Sequence, residues 1–460
     1  MRVLVRRVVV LAVMLALVGS ARAHEVAATR FTAPVPLLVL FAGAGATVAA
    51  TAGWLGFADG SGVRTAPRRL RTVGPAMAST LRLGVRTAFV ALVVGALVHG
   101  VVGPSAGAEN LATVFVWSVW LKGLGLVAVL VGSPWRVLSP WETVYDLLVT
   151  VEGEDIALVG DYPSWLGSWP ALAGFVLGVG VVENLTVIPR TPRLTVAVVA
   201  AYALAMVGGG VAFGRPWFRH ADALAVLYDL LGRTAPLSVE YSGDGSVTVE
   251  ARPPWRGCTD AVVDAGAVAF VVAAVYTVSF DGYTDTPEYQ AVLAAARDLA
   301  GTTAVAAVAL YLLGLVAFLA SYGLACWLVA RLAGDGDWPG VARAFAPTVV
   351  PIAAAYEVAH NYPFVARSAA QLLALFGRLV TGTPVEAVAP LSWLSVPAFW
   401  GSQVALVVGG HLVAVVAAHL VAIDRYGSLT VARRGHLPLV VVMVGYTVLS
   451  LWIVSRPVVA

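Results

Sequence analysis

Charge is scarce in this chain. Lys, Arg, Asp and Glu together make up 12% of its 460 residues, about half the ~25% of a soluble domain. Hydrophobic residues reach 59%, and the mean hydropathy is +0.85. No water-soluble core needs that much apolar side chain, so a soluble enzyme is excluded. Cysteine is nearly absent, with Cys258 and Cys326 alone, which excludes a disulfide scaffold. The polar, highly charged composition of a disordered chain is missing too. No basic face or groove-reading motif stands out, so nucleic acid is not an expected partner. There is no P-loop, dinucleotide fingerprint or CxxC pair. What is abundant is apolar sequence in long runs. The expected partner is therefore the lipid bilayer, and the expected fold class is an all-α, polytopic transmembrane helix bundle.

The first residues read as a targeting segment. Arg2, Arg6 and Arg7 precede the apolar run 8–18, and Ser20-Ala-Arg-Ala23 follows. A basic start, a short apolar core and an A-x-A site make a cleaved signal peptide over residues 1–23. The alternative is an uncleaved signal anchor. Cleavage leaves residues 24–460 as a single integral membrane helical domain beginning at His24. A terminal amine beside an imidazole is a copper-type ligand pair.

Apolar runs of ~20 residues fit a hydrocarbon core of ~30 Å. Ten follow the signal: 35–57, 81–102, 112–132, 167–188, 194–214, 262–282, 303–330, 345–366, 397–423 and 437–455. A signal cleaved outside puts both mature termini on the extracytoplasmic side. Alternate loops then face the cytoplasm and hold Arg64, Arg68, Arg69, Arg71, Arg136, Arg215, Arg219, Arg233, Arg252, Arg256, Arg343, Arg425, Arg433 and Arg434. The opposite side holds Arg30, Arg190, Arg193, Arg297, Arg378 and Arg456. That excess obeys the positive-inside rule, which predicts a multi-pass plasma-membrane protein in this orientation.

Two cytoplasmic loops are long, 133–166 and 215–261. Each carries a short amphipathic stretch ending in Tyr-Asp-Leu-Leu, at Tyr145 and at Tyr228. Ser139-Pro140 is a helix start. In the second loop, alternating residues from Leu237 and from Ser246 flank a Gly-Asp-Gly turn, which predicts a β-hairpin.

Ionisable groups inside spans mark function by default. His99, Glu183, Asn184, Asp281, Glu357 and His360 all fall toward the extracytoplasmic half of their spans, and His24 is on that side. Glu357 and His360 stand at i and i+3 on one helix face, a spacing used by bundle metal sites. Pro351 and Pro363 bracket them, and prolines free carbonyls that can line a cavity. His411 follows Gly409-Gly410, where a neighbouring helix can come close. His419 lies about 12 Å further along the same helix and cannot share a ligand set with His411. Lys122 is near the middle of the third span. It is read as a buried ion-pair partner of Glu183 or Asp281, or else as a group that holds an anionic substrate oxygen.

Several segments together resemble a known family. Phe345-Ala-Pro-Thr-Val-Val-Pro-Ile-Ala-Ala-Ala-Tyr-Glu-Val-Ala-His360, Gly410-His-Leu-Val-Ala-Val-Val-Ala-Ala-His419 and Leu437-Pro-Leu through Ser455-Arg-Pro457 are similar to segments of a bacterial and archaeal membrane family labelled fenitrothion hydrolase-like. Thr277-Val-Ser-Phe-Asp-Gly282, Phe213-Gly-Arg-Pro-Trp217, Ser139-Pro-Trp141 and the start at His24 match it as well. The resemblance runs along nearly the whole chain and is strongest over 345–457. Glu357 stands where the family has the first histidine of its HLAH motif. Glu25 and Thr32 depart from the family's opening. The resemblance implies a polytopic membrane protein with phosphotriester-hydrolase chemistry. A carboxylate at 357 would alter the selectivity of any metal site.

Three functions are left open. The first is a metal-dependent hydrolase of phosphoester-like substrates with its site toward the extracytoplasmic face. Its ion, a divalent transition metal such as zinc or copper, would be held among His24, His99, Asp281, Glu357, His360 and His411. Glu183 or Glu357 would take the proton of the bound water. The second is a carrier for a metal ion or small solute that enters from the same side. The third is a non-catalytic assembly protein. A carrier needs polar groups toward both faces, and the inner half holds little beyond His419, which favours the one-sided site.

Overall fold

The structure, a computed structural model, describes residues 36–57 and 61–456. It is built from helices α1 (Leu37–Leu55), α2 (Pro75–Val102), α3 (Leu111–Val131), α4 (Pro140–Glu152), α5 (Trp169–Glu183), α6 (Pro192–Phe213), α7 (Ala223–Gly232), α8 (Ala265–Thr284), α9 (Pro287–Ala300), α10 (Thr303–Ala333), α11 (Trp338–Thr381), α12 (Val396–Tyr426) and α13 (Leu429–Val454). Among the described residues nine of these are long and apolar enough to cross a membrane. The expected span at 167–188 is instead α5, with seven α-helical and eight π-helical residues. That reaches about 20 Å, short of a ~30 Å core. The signal-peptide residues and His24 lie outside the described residues.

The expected hairpin is present. Strand β2 (Leu237–Tyr241) pairs antiparallel with β3 (Val247–Ala251), with Leu237 opposite Ala251. A third strand comes from far away in sequence: β1 (Arg68–Val73) pairs with the other edge of β3, with a register shift between Arg69 and Arg71. This small sheet marks one end of the bundle. The same end gathers Arg64 with Asp424 at 2.5 Å and Arg425 with Asp335 at 2.7 Å. It is organised by Asp222, whose buried carboxylate accepts from Trp135 and Trp141 indole N–H groups and from the Tyr202 hydroxyl. Ser139 caps α4, as its Ser-Pro start predicts. Cys258 and Cys326 are both free and buried. Burial pushes the Cys258 thiol up to about 12, so it is not a reactive thiolate.

Helix α8 is the axis of the bundle. Its face is closed on nearly all sides, with Phe270, Ala273 and Thr277 at 0–1% exposure. Asp264 caps its start by accepting from Ala267 N–H, and the same carboxylate also accepts from Ser168. Helix α11 runs 44 residues, about 66 Å at 1.5 Å each, so the expected span 345–366 is only its middle. Three prolines sit inside it, and each leaves the carbonyl four residues back without a helical donor. The tertiary fold supplies replacements. Val262 N–H donates to Arg343 O at 3.1 Å, replacing the N–H missing at Pro347. Gln403 Nε2 donates to Ala359 O at 3.2 Å, replacing the one missing at Pro363. The segment carrying Glu357 and His360 is thereby held between two repaired breaks.

Close approach of α11 and α12 depends on Gly410. A Cβ there would lie 2.4 Å from Ala355 Cβ and 2.7 Å from Pro351 O, whereas one on Gly409 would meet nothing within 4 Å. Gly410→Val is expected to lower stability by at least ~1–3 kcal/mol through overpacking. Gly409→Ala should be close to neutral. Thermal unfolding of the two detergent-solubilised variants checks the contrast.

Candidate functional site

Two π-helical segments deliver the central charges. Val114–Gly123 of α3 and Val176–Glu183 of α5 wind with the wide π pattern, which is rare and recurs at functional sites. Lys122 is the second-last residue of the first segment, and Glu183 ends the second. The α3 segment is pinned by Tyr228 of α7, whose hydroxyl donates to the carbonyls of Trp120 and Leu121 at 3.2 and 3.0 Å.

The ammonium of Lys122 sits inside a ring of three carboxylates from three further helices. Nζ lies 3.2 Å from Glu183 Oε1, 3.7 Å from Asp281 Oδ2 and 4.0 Å from Glu357 Oε1. The Lys122 and Asp281 side chains are 6% and 4% exposed, so this charge cluster is withdrawn from solvent. His360 extends the cluster. Its Nε2 is 3.5 Å from Asp281 Oδ2, its ring stacks on Tyr356 at 5.9 Å, and its side chain is 19% exposed. Glu183 Oε2 is buried with no hydrogen-bond partner among the described residues. A cavity of about 30 Å³ touches Lys122 and Glu357 and extends between Phe175, Leu227 and Leu231. It has room for roughly two waters.

The anticipated residues divide on this geometry. Glu183, Asp281, Glu357 and His360 are brought together. His99 serves the α2–α3 turn, where its Nδ1 accepts from Leu111 N–H at 3.3 Å and its carbonyl accepts from Asn110 Nδ2. His411 packs at the α12–α13 interface, with Nδ1 on the Val407 carbonyl at 2.8 Å and its ring 5.8 Å from Tyr446. Its Nε2 has no hydrogen-bond partner among the described residues. Tyr446 also bonds Ser279 of α8. His419 and His436 form a separate buried pair with ring centroids 5.8 Å apart. Among the described residues no group of three or more His, Cys, Asp and Glu side chains is placed to hold a metal.

Lys122 was anticipated as an ion-pair partner of Glu183 or Asp281, and the structure makes it the hub that meets both of them and Glu357. A signal for it was available. It is the only lysine in the sequence, and every other basic side chain counted there is arginine. Arginine stays charged and delocalised, whereas lysine is a compact point charge that can also give up its proton when buried.

One acid next to the cluster lies beyond the end of α8. Burial, and secondarily the charge of Asp281, push the Asp285 carboxyl up to about 8, with Arg190 pulling against them. A carboxyl raised in the folded state above its unfolded value of 3.8 favours folding fully only below that value. The contribution is lost as pH rises to about 8. Asp285→Asn is therefore expected to gain thermal stability over the native chain as pH goes from 5 to 9. A gain that does not change with pH would refute this.

No protein-family model, no curated protein and no solved structure matches the chain.

Proposed function

We propose that this chain is a multi-pass carrier of the plasma membrane that loads a monovalent cation, a proton or an alkali-metal ion, at the Lys122 cluster from the extracytoplasmic side. One observation carries the reading: a single ammonium faces three buried carboxylates within 4.0 Å. If all three ionise, the cluster holds two uncompensated negative charges. Uncompensated charge in a low-dielectric interior is strongly unfavourable. The deficit must be met by protons or by a bound cation, so the cluster exchanges cations with its surroundings. The π segments, the proline-broken α11 and the small cavity beside Glu357 support a site that can change shape and hydration. The buried His419–His436 pair adds polar groups toward the inner half, where sequence alone offered little beyond His419. His360, partly exposed beside Asp281, supplies the entrance. Counting α5 as a re-entrant or thinned tenth span keeps both termini outside, and the arginine excess then puts the sheet end in the cytoplasm.

The metal-hydrolase reading that the family resemblance implies draws support from the Asp281–His360 pair alone. Against it stands the ammonium of Lys122, whose charge opposes a divalent ion among the same carboxylates.

Two experiments test the proposal. Purified protein in vesicles holding a pH-sensitive dye should move protons when a gradient of sodium or potassium ions, or of pH alone, is imposed. No proton movement under any of the three would refute the carrier reading. A stoichiometric zinc or copper ion in the purified protein, together with phosphotriester hydrolysis, would establish the hydrolase instead. For orientation, a cysteine introduced at Ser105 should label from outside, and one at Gly243 only after permeabilisation.

A further inference from the structure

A groove runs between α1 and α13 at the sheet end, well separated in sequence from every residue of the Lys122 cluster. It encloses about 530 Å³, within the ~300–1,000 Å³ of ligand-sized pockets. Its walls are apolar and stripped down: Ala49, Gly53 and Gly56 on one side, Val440, Val441 and Val444 on the other. Its end is formed by the cation Arg433 and by His436, whose Nδ1 bonds the Ala432 carbonyl. Arg433 is held in place there, since Nε donates to the Gly56 carbonyl and the guanidinium lies 4.3 Å over the Phe57 ring. Arg434 follows and is exposed. Other arginines at this end are neutralised, Arg64 by Asp424 and Arg425 by Asp335. Among the described residues neither Arg433 nor Arg434 meets a carboxylate.

Two aromatics fix the level of this cationic end. Trp54 and Phe57 are 80% and 79% exposed beside it, and exposed aromatics of that kind gather where hydrocarbon gives way to headgroups. An apolar slot that opens sideways and ends in guanidinium at headgroup depth matches one class of occupant. We propose that the groove binds an anionic phospholipid, with one acyl chain between α1 and α13 and the headgroup phosphate on Arg433 and Arg434. Charge complementarity selects it over a zwitterionic lipid, since two cations that meet no carboxylate among the described residues favour net negative charge. Guanidinium also suits phosphate oxygens geometrically.

Gly53 makes the test clean. A Cβ there meets nothing within 4 Å, so a side chain can be started at this position without a clash and extended into the groove. The full chain, purified in mild detergent, is titrated with phosphatidylglycerol and separately with phosphatidylcholine, and bound lipid is counted by native mass spectrometry. The native chain should hold one phosphatidylglycerol with about tenfold preference over phosphatidylcholine. Gly53→Phe should lose that lipid at unchanged unfolding temperature, and Gly53→Leu serves if the Phe variant proves unstable. The double variant Arg433→Gln with Arg434→Gln should bind both lipids alike. Equal binding of the two lipids by the native chain, or undiminished phosphatidylglycerol on the Gly53 variants, overturns the assignment. So does lipid binding that emerges only when residues 1–23 are deleted, because the groove would then belong to the N-terminal apolar run. Proton movement by the Lys122 cluster should survive Gly53→Leu, which separates this site from the proposed carrier site.

Discussion

Lys122→Met should be among the most destabilising single substitutions in this protein. It removes the ammonium from a cluster whose three carboxylates remain buried. Breaking a buried ion pair from one side costs about 3–5 kcal/mol, because the remaining charge loses its compensation. The loss should be largely repaired in the triple variant that adds Glu183→Gln and Asp281→Asn, which removes two of the three charges left behind. Pairwise coupling should fall with distance from Nζ, strongest for Glu183 at 3.2 Å, weaker for Asp281 at 3.7 Å and weakest for Glu357 at 4.0 Å. Double-mutant cycles on thermal unfolding in detergent measure this order. If Lys122→Met unfolds where the native chain does, the ammonium is not compensating these carboxylates and the charge argument fails.

Glu357→Gln should abolish transport while leaving the fold nearly intact, the opposite signature. Glu357 is the most distant of the three acids from Lys122, so its amide leaves the short Lys122–Glu183 contact at 3.2 Å in place. It also lines the small cavity beside the ammonium, which the proposed carrier would use as the exit side. An amide of the same shape cannot take up or release a proton, and removing a positioned proton-transfer group slows such steps by about 10²–10⁴. In the vesicle assay, proton movement should therefore fall by about a hundredfold or more, with an unfolding temperature close to the native one. Asp281→Asn should act on the entrance instead, because His360 lies 3.5 Å from that carboxylate. Proton flux of the Glu357→Gln variant equal to that of the native chain would remove Glu357 from the path.

Much of the molecule was legible one residue at a time. Scarce charge and runs of about twenty apolar residues dictate a helical membrane protein, because in hydrocarbon each backbone group must be bonded within its own segment. The hairpin at 237–251 announced itself by alternation around Gly-Asp-Gly, a local signal. The face shared by Glu357 and His360 followed from helix geometry alone. Strand β1 did not announce itself. Its Arg-Arg-Leu-Arg-Thr-Val sequence has no clean alternation, and it becomes a strand only because β3, far along the chain, offers a free edge. Nor did sequence separate the histidines. His99, His360 and His411 look equivalent as polar residues in apolar runs, yet one bonds a turn, one joins Asp281 and one packs on Tyr446.

Sequence by itself thus determined the class of protein, the positions of nearly all its long helices and the carboxylates that had to find partners, since those follow from composition, periodicity and the cost of burying charge. Sequence offered Lys122 as a partner for Glu183 or Asp281, and only the tertiary structure decided that it meets both of them and Glu357 at once. Two π distortions and the packing of four helices bring α3, α5, α8 and α11 within 4.0 Å of one nitrogen. Distances between spans are set by how ridges, glycines and prolines fit together, and no pattern within a single span encodes that fit.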